Sequence, residues 1–255
     1  MNRRLIPFAL LGAAVLAAPL LAKPAVTVTK PAPAAMWLAD PLRSEAMRKL
    51  DEGRMPAQVL AFAGVKPGQT VLDFFAGSGY YSLLLARAVG PKGKVFAANP
   101  PGEHDAKAWE PLAGKIPQLH VMVAEVAQMQ FAPRSLDLIF SNLNYHDLYW
   151  ESEKYHFPRV EVPRALAAWF TQVKPGGHVV IIDHAGSAGG DPREVTERLH
   201  RIDPARVKAD MTAAGFIFEA ESNLLRRSED DHSKLVFDPA VRGKTDRFIL
   251  KFRRP

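Results

Sequence analysis

The stretch Val71-Leu72-Asp73-Phe74-Phe75-Ala76-Gly77-Ser78-Gly79-Tyr80-Tyr81-Ser82 constrains this chain more than any other. Apolar residues flank an aspartate, two glycines follow one residue apart, and a run rich in leucine and alanine (Leu83, Leu84, Leu85, Ala86, Ala88) comes next. That order reads as buried strand, tight turn and helix. Glycine carries no Cβ and tolerates positive φ, so Gly77 and Gly79 let backbone N–H groups and a helix N-terminus come close to a ligand. The stretch is a nucleotide-binding turn in outline.

Composition sets the frame around that turn. The 255 residues are 47% hydrophobic and 24% charged, an ordinary globular balance that excludes a disordered chain and a multi-span membrane protein. This length holds one sizeable α/β domain plus a leader. Met1-Asn2-Arg3-Arg4 is a short cationic head, and Leu5 to Ala22 is apolar, ending in small residues before Lys23-Pro24. Residues 1–22 therefore read as a signal peptide cleaved after Ala22 or Ala17. An uncleaved inner-membrane anchor is the alternative, since the run approaches the ~20 residues that span a bilayer. The expected location is periplasmic or exported, with contact to a membrane only through the leader if it stays attached. Residues 23–36, rich in proline and alanine, read as a linker, and residues 37–255 as the domain. The absence of cysteine removes disulfides, lipid-modified cysteine and thiolate metal sites. The formal charge of +6 loses two with Arg3 and Arg4, and the remaining Lys and Arg are dispersed. They read as a solvated surface rather than a nucleic-acid footprint.

In chain order, two short helices are expected between Asp40 and Ala63, then a strand at 71–75, a helix at 79–89 and a strand at 94–99. A helix around 106–112 and strands at 120–123 and 136–140 follow. Next come a helix at 161–173, a strand at 178–182, a helix from Asp191 to about Ala214 with Pro204 as a possible break, and strands at 215–221 and 248–252. Alternating strands and helices with a terminal strand pair predict an α/β, Rossmann-like doubly wound sheet of seven strands, mostly parallel with an antiparallel last strand.

Three motifs in this order resemble the class I S-adenosylmethionine-dependent methyltransferases. Val71-Leu72-Asp73-x-Phe75-x-Gly77-x-Gly79 is similar to the family's first motif, and Leu136-Asp137-Leu138-Ile139-Phe140-Ser141-Asn142 to its fourth. Val173-Lys174-Pro175-Gly176-Gly177-His178-Val179-Val180-Ile181-Ile182 is similar to its lysine-proline-glycine turn and the strand that follows. The chain also resembles a bacterial group of predicted methyltransferases with leader peptides. The resemblance implies S-adenosylmethionine as cofactor, bound by Asp73, Phe75, Gly77, Gly79, Asn99, Glu125 and Asn142. Two positions depart from the family pattern. Asn99 stands where an acid usually accepts both ribose hydroxyls, and Phe75 replaces a usual glycine. A hydride-transfer dinucleotide fold would require G-x-G-x-x-G and an acid on the second strand, and both are missing.

Loops at the C-terminal ends of parallel strands are where α/β folds bind ligands, so Asn142-Leu143-Asn144-Tyr145-His146-Asp147 would border the acceptor. Methyl transfer is an in-line displacement that needs a positioned nucleophile and, for hydroxyl or protonated amine acceptors, a base. His146 is the expected base, oriented by Tyr145 and Asp147, with Asp183-His184 as a second pair. His200 and Asp203, three residues apart, are expected on one helix face. With Asp231-His232 these residues form a loose acidic and imidazole set, but no ligand motif such as H-E-x-x-H is present, and no metal is expected. Phe74 and Trp169 read as core, and Tyr149 and Trp150 as lining for an acceptor pocket. Asn142-Leu143-Asn144-Tyr145 lacks the prolines of the tetrapeptide that DNA amino-methyltransferases place there, which argues against a nucleic-acid acceptor. The expected function is methyl transfer to a small molecule. The alternative is a non-catalytic binding protein of the same fold outside the cytoplasm.

Overall fold

The computed structural model describes residues 34–255 except Ala113. The leader read at 1–22, and the linker as far as residue 33, lie outside the described residues; residues 34–36, read as the end of the linker, begin a helix instead. Four short helices open the described chain: α1 (Ala34–Leu38), α2 (Glu45–Lys49), α3 (Asp51–Arg54) and α4 (Pro56–Ala63). Two were expected between Asp40 and Ala63, where three stand. Met55, held at φ 44° ahead of Pro56, separates α3 from α4, because the residue before proline is pushed out of the helical region.

The sheet follows: β1 (Thr70–Phe74), α5 (Tyr80–Val89), β2 (Lys94–Asn99), α6 (Ala106–Trp109), β3 (Leu119–Val123), β4 (Leu136–Asn142), α7 (Val162–Gln172), β5 (Val173–His184), α8 (Pro192–Leu199), α9 (Pro204–Ala213), β6 (Ile217–Ser222) and β7 (Arg247–Arg253). Its order is β3-β2-β1-β4-β5-β7-β6. β7 pairs antiparallel with both β5 and β6, and the other strand pairs of the described sheet are parallel. The expected doubly wound sheet with an antiparallel last strand is the fold observed.

Successive side chains on a strand point to opposite faces, and the buried strands feed two apolar layers. Leu72, Phe74 and Ile139 pack with Trp169 of α7 on one face. Val71, Leu138 and Phe140 pack with Leu83, Leu84 and Leu85 of α5 on the other. Phe74 and Trp169 are core, their rings 4.9 Å apart edge to face. Strand order reverses between β1 and β4, the switch point where such sheets open a crevice. There Asp73 lies beside Phe140, while Asn142 lies beside Ile182 of β5. The exits of β1, β4 and β5 therefore share one edge.

Two helices differ from expectation. The segment 191–214 is broken by His200, whose φ of 51° caps α8, and by Asp203, whose carboxylate caps α9 by accepting from the Ala205 N–H. His200 and Asp203 thus do not share a helix face. The helix expected around 106–112 shrinks to Ala106–Trp109, since Glu110 precedes Pro111. Among the described residues no helix is long and apolar enough to cross a membrane.

Candidate active site

The turn after β1 is locked from behind. Gly77 donates its N–H to Asn99 Oδ1 (2.8 Å), and its carbonyl accepts from Asn99 Nδ2 (3.2 Å) and from the Trp109 indole (3.0 Å). Asn99 is fully buried and serves the loop's backbone rather than a ligand diol. At Gly79 a Cβ would stand 2.9 Å from Trp109 and Leu112, so glycine is required for the close approach of α6. At Gly77 (φ 57°) a Cβ would meet nothing within 4 Å, so the loop's outer face is open.

That face borders a cavity of about 190 Å³ whose lining includes Asp73, Phe75, Gly77, Asn142 and Arg54. Asp73 is buried, its carboxylate accepting from Ser82 (2.5 Å). Burial lifts its pKa to about 7, against the Ser82 hydrogen bond and the Arg54 charge. Arg54 comes from α3, which is held on α5 by the Tyr80 hydroxyl donating to Asp51 (2.6 Å). Its guanidinium lies 4.5 Å from the Tyr80 ring centroid. Sequence reasoning missed Arg54, since nothing in a four-residue helix 19 residues before Asp73 ties it to the turn.

Phe75 occupies the left-handed region at φ 53°, where a non-glycine residue is strained. Packing holds it there: its ring stacks on Phe74 (4.2 Å) and meets Phe157 edge to face (5.9 Å). Asn144 reinforces the turn, donating to the carbonyls of Phe74 and Phe75 (both 2.9 Å) while accepting from Ser141 (2.6 Å). The sequence singled out the Asn142–Asp147 segment without foreseeing this cross-strand role. Beyond Phe157 lie two adjoining cavities of about 770 and 570 Å³, both lined by Glu125. Glu125 sits at the N-terminal edge of a short 3₁₀ turn, and its side chain makes no capping hydrogen bond there.

The β4 and β5 exits bring His146, Asp147, Asp183 and His184 together. Asp183 is fully buried; its Oδ2 accepts the His146 backbone N–H (2.8 Å) and its Oδ1 faces His146 Nδ1 (2.8 Å). A carboxylate there places a proton on Nδ1 and turns Nε2 toward Asp147, whose Oδ1 lies 3.3 Å away. Burial alone would lower the His146 pKa, but Asp147 and Asp183 together outweigh it and push it up to about 9. Burial, with Glu103 and Asp183 nearby, raises Asp147 to about 7 against the opposing pull of His146. His184 bonds Thr245 through Nδ1 (2.7 Å), and burial, then the His146 charge, holds its pKa well below the usual histidine range.

Tyr145 is placed elsewhere than expected. It is fully buried, and its hydroxyl donates to Asp210 of α9 (3.1 Å), so Asp183 rather than Tyr145 orients His146. Tyr149 is likewise a core residue tied to Asp210 (2.5 Å). Trp150 does reach the site: a cavity of about 710 Å³ is lined by His146, Asp147, His184, His200, Trp150 and Leu143, and also by Glu103 and Phe237. The last two escaped the sequence reading because they lie in loops distant in sequence. Asp231 caps Ser233, and His232 bonds Asp246 (2.9 Å), so neither joins this cluster. Among the described residues no group of three or more His, Asp or Glu is placed to hold a metal ion.

Residues 71–177 match the family model described as a methyltransferase domain. The arsenite methyltransferase of Halobacterium salinarum is 29% identical over 124 residues, which make up 48% of this chain and 29% of that protein. The chain spans half or less of the length of the curated relatives it matches first. Among solved structures, a SAM-dependent methyltransferase from Aquifex aeolicus superposes with a TM-score of 0.59 at 23% identity, covering 82% of this chain and 97% of that one. The 1,6-didemethyltoxoflavin-N1-methyltransferase of Burkholderia thailandensis, solved with 1,6-didemethyltoxoflavin and S-adenosylhomocysteine bound, gives 0.53 at 18% identity, covering 82% and 78%.

Proposed function

We propose that this chain, which carries a methyltransferase domain at residues 71–177 within the class I methyltransferase fold, is an S-adenosylmethionine-dependent methyltransferase of a small-molecule acceptor. One observation carries the reading: consecutive residues of the β4 exit face two cavities. Asn142 lines the one at the glycine turn, and Leu143 lines the one bordered by His146 and Asp147.

The residues at the glycine turn fit the amino-acid end of S-adenosylmethionine. The open face of Gly77 admits a ligand, Asp73 suits its ammonium group, and Arg54 suits its carboxylate. Glu125, beyond Phe157, is the residue for the nucleoside end. When bound, the cofactor supplies an electrophilic methyl carbon. His146 in its neutral form takes a proton from the acceptor at Nε2, and Asp183 fixes the tautomer and the ring orientation. With a pKa near 9, His146 is matched to an acceptor that gives up its proton in the alkaline range.

The experiment is calorimetric titration of the purified chain with S-adenosylmethionine and S-adenosylhomocysteine. Binding is expected, and its absence at millimolar ligand would overturn the enzyme reading. The second reading, a non-catalytic binding protein, is favoured by the contact of Phe75 with Phe157. That pair separates the glycine-turn cavity from the Glu125 cavities, and the same titration discriminates. Export directed by residues 1–22 belongs to the proposal as well. A fusion of residues 1–30 to a compartment-sensitive reporter tests it, and a signal only in the cytoplasm would refute it.

A further inference from the structure

The cavity of about 710 Å³ has a sign and a texture that the methyltransferase reading alone does not explain. Four rings form a continuous arc along it. Tyr155 and Trp150 lie 5.7 Å apart, Trp150 and His200 5.5 Å, and His200 and Phe237 5.1 Å. Phe237 is 53% exposed and Tyr155 50%, so neither ring is there to fill the protein core. Large apolar rings standing open beside a cavity mark a contact surface.

Inside the arc acidic side chains outnumber cationic ones, three to two. Glu103, Asp147 and Glu197 line the cavity, and Asp183 stands behind His146. His146 and Lys154 are the opposing cations among the lining residues, and Lys154 sits on the rim. The chain as a whole carries +6, so the cavity is an acidic, ring-walled hollow in a basic protein. The Lys154 ammonium already lies 5.0 Å from the Tyr155 ring centroid, which shows that the arc accepts a cation on a ring face. Within the arc, His200 Nδ1 is buried with no hydrogen-bond partner among the described residues.

We propose that this cavity receives an arylalkylamine in its ammonium form, with the aromatic body against the Trp150–Phe237 arc and the charged head toward Glu103 and Asp147. The inference rests on the cavity being the acceptor side of the proposed methyltransferase, but its binding content stands apart from that activity. A carboxylate or phosphate ligand would meet three acidic side chains, and a neutral one would leave Glu103 and Glu197 without a salt bridge among the described residues, Asp147 being already paired with His146. A metal ion would lack a ligand set among the described residues and would have no use for the rings.

The test uses the purified full chain, with Trp fluorescence and calorimetry as readouts and three probes of one shape: 2-phenylethylammonium, 2-phenylethanol and phenylacetate. The ammonium is expected to bind about tenfold tighter than the alcohol, the order given by a partly desolvated cation–π contact with ion pairing, and phenylacetate weaker still. Glu103→Gln, at an exposed position, should weaken the ammonium several-fold and leave the alcohol unchanged. Phe237→Ala should weaken both. Equal affinity for ammonium and alcohol, or preference for phenylacetate, overturns the inference, as does binding of Zn²⁺ that excludes the ammonium. S-adenosylhomocysteine titrated separately reports on the methyltransferase reading alone, so the two ideas fail independently.

Discussion

Asn99 and Gly77 hold each other by both edges of their amides, with the glycine N–H given to Oδ1 at 2.8 Å and the glycine carbonyl accepting from Nδ2 at 3.2 Å. The residue that the family resemblance assigned to the cofactor's ribose is thus the brace that shapes the turn. Asn99→Ala should destabilise the fold by about 1–2 kcal/mol by removing both part-buried hydrogen bonds to Gly77. Asn99→Asp keeps the acceptor but buries a charge facing the glycine carbonyl, and it should also destabilise without tightening S-adenosylhomocysteine binding. Urea denaturation and calorimetry check both. A tenfold gain in nucleoside affinity for the aspartate variant would return Asn99 to a ligand role.

Phe75 combines a left-handed backbone with a fully engaged ring. Phe75→Gly relieves strain of about 1 kcal/mol but removes aromatic packing worth about 3–5 kcal/mol. The variant should be less stable by a few kcal/mol yet bind S-adenosylhomocysteine more tightly, because the partition against Phe157 opens. Thermal melting and titration on the same sample separate the two effects.

Asp73 makes ligand affinity depend on pH. Burial lifts its pKa to about 7, and a ligand ammonium requires the ionised form. Affinity for S-adenosylhomocysteine should therefore fall by up to about tenfold per pH unit below 7 and level off above it. In the unliganded protein the same shift contributes stability at pH values below the ordinary carboxylate range, and this is lost as pH rises through about 7. Asp73→Asn should flatten the affinity profile and weaken binding above pH 7, as read by calorimetry across pH 5.5–8.5.

His146 is held in its charged form by Asp183 and Asp147, so turnover should climb with pH toward about 9, where the neutral base becomes available. Asp183→Asn removes one stabilising carboxylate and the partner of Nδ1. The rising limb should move to lower pH while the plateau falls by roughly two to four orders of magnitude, the range for losing a general base's contribution. Because the folded-state pKa of His146 is raised, its contribution to stability is present below its ordinary value and is lost as pH rises through about 9. Stopped-time methylation assays over pH 6–10, with melting curves alongside, test both statements.

Arg201 is fully buried, with two bonds to Asp230 (2.8 and 3.0 Å) and one to the carbonyl of Ala185 (3.0 Å). It clamps the polar segment that carries Leu235 and Phe237 against the site. Breaking such a pair on one side leaves an unpaired buried charge, so Arg201→Met should cost about 3–5 kcal/mol. Adding Asp230→Asn, which removes the charge but keeps an acceptor for the backbone N–H groups of Asp246 and His232, should recover part of that loss. Denaturation of the single and double variants gives the comparison.

The sheet was legible because its signals are local: apolar runs of strand length, glycine turns and proline caps lie within a few residues of what they shape. Asp73, Gly77, His146 and Asp183 stand out in the sequence because each lies at a strand exit, and the structure places the first three on cavity walls and Asp183 against His146. Tyr145 misled because an exit loop's sequence does not say which side chain turns inward to a helix, here to Asp210 in α9. Asn99 misled because its amide can satisfy backbone as readily as ligand. Arg54, Glu103 and Phe237 were invisible, since each reaches the site through tertiary packing of loops and short helices that no periodicity announces.

β7 lies between β5 and β6 although it follows both in the chain, and its first residue, Arg247, donates to the carbonyl of Gly53 (3.0 Å), next to Arg54. A fragment ending at Asp246 would keep every side chain named at the two cavities, but β5 and β6 would each lose their shared partner and present unpaired backbone. Such a fragment should self-associate rather than work slowly. Supplying the β7 segment in trans as a peptide should rescue it, making the strand a handle by which this fold could be split and reassembled on demand.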